Sequence, residues 1–239
     1  MLSKKKFCIL HLAISIFIGL LTAWLIFFIW YPMPLAQAIG VTQLFGLLLL
    51  VDMILGPLLG WIVYKEGKKT LKFDLLVIVL LQIFAYGYGM YSVAQGRPLW
   101  IVYSQYYFNV VQNKQIDEKD LVKAEKLYQQ RSFFGPKIVA LKGEENYQNN
   151  NFVNQRRGWT SYPPNYTDIA SVQSRISQYA LDLKVLNQSN EPERVAKILS
   201  QYPEADAWLP LQAPVQSMIV LVNKRKGEVV KIVDLKPLR

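Results

Sequence analysis

The sequence predicts a membrane protein in which three transmembrane α-helices precede an α+β domain with an antiparallel sheet. Hydrophobic residues make up 52% of the 239 residues, and the longest apolar stretches all lie within the first hundred. Beyond them the chain changes to short alternating runs and amphipathic segments, which are typical of a globular domain. We therefore divide the chain into a membrane domain, residues 1–96, and an outer domain, residues 97–239.

The membrane domain is predicted from three apolar stretches, at about residues 7–30, 42–64 and 73–95. About 20 helical residues cross a bilayer core of about 30 Å, and each stretch reaches that length. The first, "FCILHLAISIFIGLLTAWLIFFIW", carries no charge and is longer than the apolar region of a signal peptide, about 7–15 residues. We therefore expect it to remain as an uncleaved helix.

Orientation is predicted from the lysines near the helix ends. Three lysines precede the first helix, the loop after that helix has no charge, and four lysines lie between the second and third helices: Lys65, Lys68, Lys69 and Lys72. Because basic residues concentrate on the cytoplasmic side, the N-terminus is predicted to be cytoplasmic and the C-terminal domain to lie outside. These lysines explain part of the net charge of +10 without a nucleic-acid partner. The milder basic excess that remains suits either a solvated surface or an acidic partner or lipid headgroups.

Enzymatic residues are scarce. The single histidine, His11, and the single cysteine, Cys8, both lie in the first helix, so the outer domain can form neither a His-based triad nor a disulfide. No Walker, GxGxxG or GxSxG motif is present. We predict no catalytic residue, no metal site and no cofactor, and we interpret His11 as a structural histidine.

Strands and helices of the outer domain are predicted from local patterns. Residues 98–112 should form two strands broken around Ser104-Gln105, residues 137–141 a third, and "SMIVLV" and "EVVKIVDL" a closing hairpin. Helices are predicted at 117–130, 168–186 and 191–202, on one face of the sheet. The polar residues 144–167, between the third strand and the second of these helices, are expected to form a long exposed loop.

Asp52, near the middle of the second apolar helix, is the main candidate for function. A carboxylate at this depth costs about 2.5–3.5 kcal/mol on insertion scales, so it should face other helices or a cavity. Three interpretations stay open. The carboxylate could bond Gln82, Tyr86 or Ser15 on a neighbouring helix, contact a polar group or free amine on a partner's membrane helix, or take part in proton or ion transfer.

Small residues mark helix faces that can approach another helix closely. Asp52, Gly56 and Gly60 are spaced by four and therefore share one face. Pro57 should free a backbone carbonyl one turn earlier, near Met53, and bend the helix. Gly87 and Gly89 in the third helix could serve in the same way. Whether these glycines meet the protein's own helices or those of a partner is left open.

Several segments together resemble one family. "VDMILGPLLGWIVYKEGKKTLKFDLLVIVLLQIFAYGYG" followed by "QGRPLWIVYSQYYFNVV" is similar to the TfpX/TfpZ family of type IV pilin accessory proteins, as are "GPKIVA" and "MIVLVNKRKGEVVKIVDLKPL". Arg97 and Pro98 correspond to that family's Arg-Pro start of the outer domain. The segment "YSQYYF" departs from the family at residues 103–108, where a charged Asp-Arg pair would be expected.

The resemblance implies a Gram-negative inner-membrane protein: three transmembrane α-helices followed by a periplasmic α+β domain. It would act as a non-enzymatic chaperone or stabiliser of a type IV major pilin, with the pilin and membrane lipids as partners. The alternative is a membrane sensor or ligand-binding protein with a periplasmic domain. The short cytoplasmic segments of the chain disfavour that alternative.

Overall fold

The computed structural model describes residues 4–65, 67–143 and 158–238. The chain forms two compact units. Residues 1–29 and 41–96 make the first, which we call the membrane unit, and residues 30–40 and 97–239 make the second, which we call the C-terminal unit. Residues 30–40, which the sequence analysis placed in the membrane domain, therefore cluster with the residues that follow the third helix.

Among the described residues, three helices are long and apolar enough to cross a membrane, and we call them spans. They cover Lys4–Trp30, Val41–Val63 and Leu71–Gly96, which confirms the three predicted helices. The first changes from α-helix to π-helix over Leu25–Trp30, and the second does so over Val51–Leu55. In the most apolar 18 residues of the third span, only 6% are buried within the protein, so most of that helix faces away from the other spans.

The π-helical turn of the second span ends directly before Gly56-Pro57. Proline has no N–H to donate and its ring collides with the preceding turn, so the regular α-helical bonding cannot continue through it. Wider turns are a common way for a helix to accommodate such a site. The π-helical turn includes Asp52, and the bend predicted at Pro57 stays a prediction.

The C-terminal unit is built on a mostly antiparallel sheet. Eight strands are present in the described residues: β1 Pro98–Ser104, β2 Tyr107–Gln112, β3 Lys137–Leu141, β4 Tyr166–Thr167, β5 Leu181–Asp182, β6 Ala207–Gln212, β7 Met218–Asn223 and β8 Glu228–Val233. Their order is β4-β3-β1-β2-β6-β7-β8, with β5 paired to β6. Two pairs, β1 with β3 and β2 with β6, are parallel. The two predicted N-terminal strands, the third strand and the closing hairpin are confirmed.

In the described part of the C-terminal unit, four short α-helices accompany the sheet: α1 Leu35–Ile39, α2 Glu118–Lys123, α3 Gln173–Tyr179 and α4 Pro192–Leu199. The predicted helix 191–202 is confirmed as α4. The predicted helix 117–130 is wrong in length, because α2 stops at Ala124 in extended backbone and only a 3₁₀ turn, Lys126–Tyr128, follows. The predicted helix 168–186 is interrupted: α3 gives way to β5 and then to a 3₁₀ helix.

Residues 144–157 of the predicted exposed loop lie outside the described residues. The rest of that segment is not a simple loop. It contains two 3₁₀ turns, Trp159–Ser161 and Pro163–Asn165, and then β4. Tyr166 of β4 is fully buried, and its hydroxyl donates to the carbonyl of Thr160 at 2.6 Å.

The sheet is buried on both faces, so the prediction of helices on one face is wrong. Ile101 and Tyr103 of β1 belong to one apolar cluster, whereas Trp100 and Val102 belong to another. Because successive strand residues point to opposite faces, the two clusters lie on opposite sides of the sheet. The first cluster includes Leu35 and Ala38 of α1 and Ile176 of α3. The other face is covered by α2 and, over β7, by α4.

The loop between the first two spans is anchored in the C-terminal unit. Leu35, Ala36 and Ala38 are almost completely buried. The carbonyl of Ala38 accepts hydrogen bonds from the backbone N–H groups of Val215 and Gln216, at 3.0 and 3.1 Å. This uncharged segment is therefore part of the fold that follows the third span.

Candidate functional site

A polar cluster joins the three spans inside the membrane unit. Gln82 of the third span donates from Nε2 to Oδ1 of Asp52 at 3.2 Å and to the Asp52 carbonyl at 3.4 Å. The same nitrogen lies 3.2 Å from Nε2 of His11 in the first span. Each span contributes one member, and all three are half-buried. We call His11, Asp52 and Gln82 the polar cluster.

The irregular second span explains the backbone contact of Asp52. In a π-helical turn the carbonyl of residue 52 would pair with the N–H of residue 57, and Pro57 has none. Gln82 supplies a donor to that carbonyl. The carbonyl of Pro57 itself accepts from the Cys8 thiol at 3.8 Å. The backbone group that receives the side-chain bond is thus one residue earlier than the predicted Met53.

The glycines of the second span allow this close approach. A Cβ on Gly56 would overlap the Gln82 amide nitrogen and lie 2.5 Å from the His11 ring nitrogen. A Cβ on Gly60 would lie 2.9 Å from the Phe7 ring in the first span. Both glycines are buried and meet the protein's own helices. Gly89 of the third span does the same, against Leu48 of the second.

Gly87 is different, because, apart from its own helix backbone, no atom of the described residues lies within 4 Å of the position where its Cβ would be. It borders a cleft of about 500 Å³ whose wall includes the polar cluster. The cleft is lined mainly by residues of the first and third spans: Ile14, Ser15, Ile18, Val79, Ile83 and Tyr86. A second cavity of about 170 Å³, between the second and third spans, is also lined by Asp52 and Gln82. The Asp52–Gln82 pair therefore separates two cavities.

A second polar contact ties the first and third spans together. The hydroxyls of Thr22 and Tyr86 are hydrogen-bonded, and Thr22 also donates to the Ile18 carbonyl at 2.8 Å. Of the three partners considered for Asp52, Gln82 bonds it, Tyr86 contacts Thr22, and Ser15 lines the cleft. Polar residues at 11, 15 and 22 of the first span share one helix face. That spacing could have shown from the sequence that the first span also contributes to the polar cluster.

The polar cluster has more acceptors than donors. Oε1 of Gln82 is buried and has no hydrogen-bond partner in the part of the chain that the structure describes. Within the same residues no lysine or arginine forms an ion pair with Asp52. The arrangement suits a group that brings hydrogen-bond donors or positive charge into the cleft. Residues 4–65, 67–143 and 158–238 contain no group of three His, Cys, Asp or Glu side chains placed to hold a metal ion.

Arg97 and Pro98 lie where the third span ends and β1 begins. Pro98 opens β1 and is buried, and the Arg97 carbonyl accepts from the Asn113 N–H at 2.9 Å. Arg97 belongs to the C-terminal unit, whereas the polar cluster belongs to the membrane unit. Arg131, whose charge acts on Arg97, was not predicted as a site residue from the sequence.

Comparison with known proteins gives one family-model match and three similar proteins. Residues 1–40 match the model described as fimbrial assembly protein FimB. The chain is 27% identical over 215 residues to the serogroup I fimbrial assembly protein of Dichelobacter nodosus, which covers 84% of this chain and 83% of that protein. It is 31% identical over 139 residues to the serogroup E1 protein of the same organism, covering 57% of this chain and 54% of the relative.

The third relative is the Dichelobacter nodosus fimbrial assembly protein of serogroups C1 and C2. Identity is 35% over 96 residues, which is 39% of this chain and 73% of the relative. No solved structure matches the protein. Given the identity to this relative and the length of it that is covered, the chain belongs to the family of fimbrial assembly proteins.

Proposed function

We propose that this protein is a non-enzymatic accessory protein of the bacterial inner membrane that stabilises a type IV major pilin and so supports pilus assembly. The names of its relatives support a part in fimbrial assembly. The resemblance to the TfpX/TfpZ family supports the narrower assignment to pilin accessory proteins. The C-terminal unit would then be periplasmic, and the partners would be the pilin and membrane lipids rather than nucleic acid.

The observation that carries the proposal is the acceptor-rich cleft beside the polar cluster. A pilin that waits in the membrane as a single helix satisfies its backbone groups internally, but a polar side chain or free amine on that helix stays unpaired in lipid, at a cost of several kcal/mol. The cleft is lined by Asp52, by Gln82, whose Oε1 has no partner among the described residues, and by the open surface at Gly87. A hydrogen bond between membrane helices is worth about 0.6–2 kcal/mol. A hydroxyl, amide or free amine on the pilin helix would supply the donor that the cluster lacks.

A holding role fits these residues better than a chemical one. The carboxylate of Asp52 is bonded to the Gln82 amide, and the nitrogen of that amide also lies near the His11 imidazole. Such a group can orient a donor, and among the described residues no hydrogen bond joins the Asp52 carboxylate to a hydroxyl or thiol, as nucleophilic catalysis would need. We therefore propose that the protein binds the pilin and does not modify it.

Photo-crosslinking from two adjacent positions tests the proposal. Ile83 and Phe84 are both large and exposed, but Ile83 lines the cleft and Phe84 does not. A photoreactive amino acid at position 83 should capture the pilin in cells, and the same amino acid at position 84 should capture much less. Failure of both positions would count against helix binding in the cleft.

A deletion strain provides the broader test. If the protein stabilises the pilin, its loss should lower the steady-state level of pilin and the number of surface pili, and expression in trans should restore both. Unchanged pilin and piliation would contradict the proposed function.

A further inference from the structure

We propose that Arg97, Arg131 and the indole of Trp30 form a binding site for the phosphate of an anionic phospholipid headgroup. These three residues belong to the C-terminal unit, and the site does not depend on the proposed function. Trp30 ends the first span and Arg97 follows the third, so the chain itself places both side chains where these helices end.

Aromatic rings hold the Arg97 side chain in place. Its guanidinium carbon lies 5.5 Å from the centroid of the Trp30 ring and 5.9 Å from that of Phe133. The two rings lie 6.1 Å apart and nearly perpendicular to each other. A guanidinium within about 6 Å of an aromatic ring is attracted to it, so this contact fixes the position of the cation.

The site has three donors without acceptors. The Nε–H groups of Arg97 and Arg131 and the Nε1–H of Trp30 are buried, and none has a hydrogen-bond partner among the described residues. Leaving one buried donor unsatisfied costs about 1–3 kcal/mol, so single cases are uncommon and three in one cluster call for an explanation. Acceptor oxygens supplied by a ligand would give these donors the partners that they lack.

Asn113 links the two arginines. Its backbone N–H donates to the Arg97 carbonyl at 2.9 Å, and its side-chain Oδ1 accepts from Nη1 of Arg131 at 2.8 Å. Arg131 also donates to the Ile116 carbonyl at 3.3 Å. The Arg131 guanidinium is therefore held by neighbours on one side, while its Nε–H remains available.

Charge points in the same direction. Arg131 forms an ion pair with Glu118 at 2.8 Å, but the Glu118 side chain is largely exposed and its charge is screened by solvent. Arg97 has no carboxylate partner within the residues that the structure describes. Burial lowers the pKa of Arg97, and the nearby charge of Arg131 lowers it further. The pair therefore carries excess positive charge in a partly dry setting, which an anion would neutralise.

The setting favours a lipid phosphate over an anion free in solution. Phe133 and Phe134 are exposed, Phe134 by 75%, and Met33 is exposed by 60%. Aromatic side chains next to arginines are typical of the membrane–water interface, where the rings meet acyl chains and the cations meet phosphates. A phosphate accepts several hydrogen bonds at once, which matches the number of unsatisfied donors.

Lipid binding to the full-length protein tests this site. The purified protein in a zwitterionic detergent is titrated with phosphatidylglycerol, with phosphatidylcholine and with inorganic phosphate, and bound lipid is counted by native mass spectrometry. We expect preferential binding of phosphatidylglycerol. Arg97→Gln should weaken it at least about tenfold, the effect of one lost charge-assisted bond. Arg225→Gln makes the same charge change at an exposed turn and should leave binding unchanged.

Trp30→Phe serves as a second variant because it keeps a ring beside Arg97 and removes only the donor. It should weaken binding severalfold even if Arg97→Gln fails to fold. Equal loss in Arg225→Gln, or no binding of any probe, would overturn the site. If inorganic phosphate displaces the lipid completely, the lipid assignment is wrong. It is also wrong if, in lipid-free detergent, the protein binds an acidic protein and Arg97→Gln abolishes that binding.

Discussion

Asp52 illustrates how a carboxylate can be accommodated between apolar helices without a lysine or arginine partner among the described residues. Its side chain and its backbone carbonyl both accept from one amide, that of Gln82. The same residue that disturbs the helix, Pro57, removes the N–H that the carbonyl would otherwise use. The amide thus compensates for two groups that lipid cannot solvate. This arrangement explains why Asp52, Pro57 and Gln82 occur together in neighbouring spans.

Gly56→Ala should disturb this arrangement, because the new Cβ would displace the Gln82 amide from Asp52. The acceptors of Asp52 would lose their donor and the new methyl group would crowd Gln82, which together should lower the free energy of unfolding by about 1–3 kcal/mol. Alanine's higher helix propensity would return only about 1 kcal/mol. We expect a lower melting temperature of the purified protein in detergent. Gly87→Ala has open space around it and should be neutral or slightly stabilising. Equal melting temperatures for the two variants would contradict the prediction.

Asp52→Ala and Asp52→Asn separate a structural role from a role in partner binding. Alanine removes the side-chain acceptor of Gln82, whose nitrogen then keeps only the longer 3.4 Å bond to the residue-52 carbonyl and its contact with His11. The lost bond is worth about 0.5–1.5 kcal/mol, so the variant should lower the protein's own level. Asparagine keeps an oxygen that can accept and should maintain that level. If the carboxylate also serves the pilin, Asp52→Asn should still reduce piliation. Immunoblots and counts of surface pili measure both; wild-type behaviour of both variants would exclude both roles.

Elements with a strong local pattern could be predicted from the sequence, and elements defined by distant partners could not. The β7–β8 hairpin consists of two runs rich in β-branched and aliphatic residues and has a turn with Gly227 at φ 65, where a Cβ would overlap the Gln173 backbone. Strand β6 contains Pro210, which argues against a central strand. It is accommodated because Pro210 lies between the residues that pair with β5 and those that pair with β2.

Helix lengths failed for a related reason. Tyr128 lies on the apolar face that suggested a helix over 117–130, and it is indeed buried, but it reaches the core from a 3₁₀ turn after a break. Likewise β5, within the predicted helix 168–186, is short and exposed, and it is defined only by its pairing with β6. Periodicity shows which residues are buried, whereas the continuity of a helix depends on tertiary contacts.

The packing of helix α1 in the C-terminal unit can be tested, because the sequence had placed these residues in the membrane domain. Ala38→Glu puts a carboxylate into the apolar cluster of the C-terminal unit, where burying an unpaired charge is costly enough to prevent packing. We expect loss of folded protein, measured as increased sensitivity to limited proteolysis in detergent. Gln37→Glu adds the same charge to the exposed neighbour and should leave proteolysis unchanged. Similar digestion of both variants would show that α1 is not anchored there.

At the scale of the whole molecule, composition defines the two units but not their exact membership. The three spans could be predicted because about 20 apolar residues have few alternatives to a membrane helix. The assignment of residues 30–40 to the C-terminal unit could not, because it depends on hydrogen bonds from Val215 and Gln216 that lie about 180 residues further along the chain. The polar cluster was partly predictable, since Asp52 and Gln82 are unusual in lipid.

The orientation of the whole chain can be tested with a reporter that needs disulfides. Bacterial alkaline phosphatase gains its disulfides and its activity only in an oxidising compartment such as the periplasm. Because four lysines lie between the second and third spans, a fusion after Lys69 should be inactive and a fusion after Leu238 active. Both fusions should be present at similar levels on immunoblots. The reverse activities would place the C-terminal unit in the cytoplasm, where it could not meet a pilin head outside, and the proposed function would be lost with that orientation.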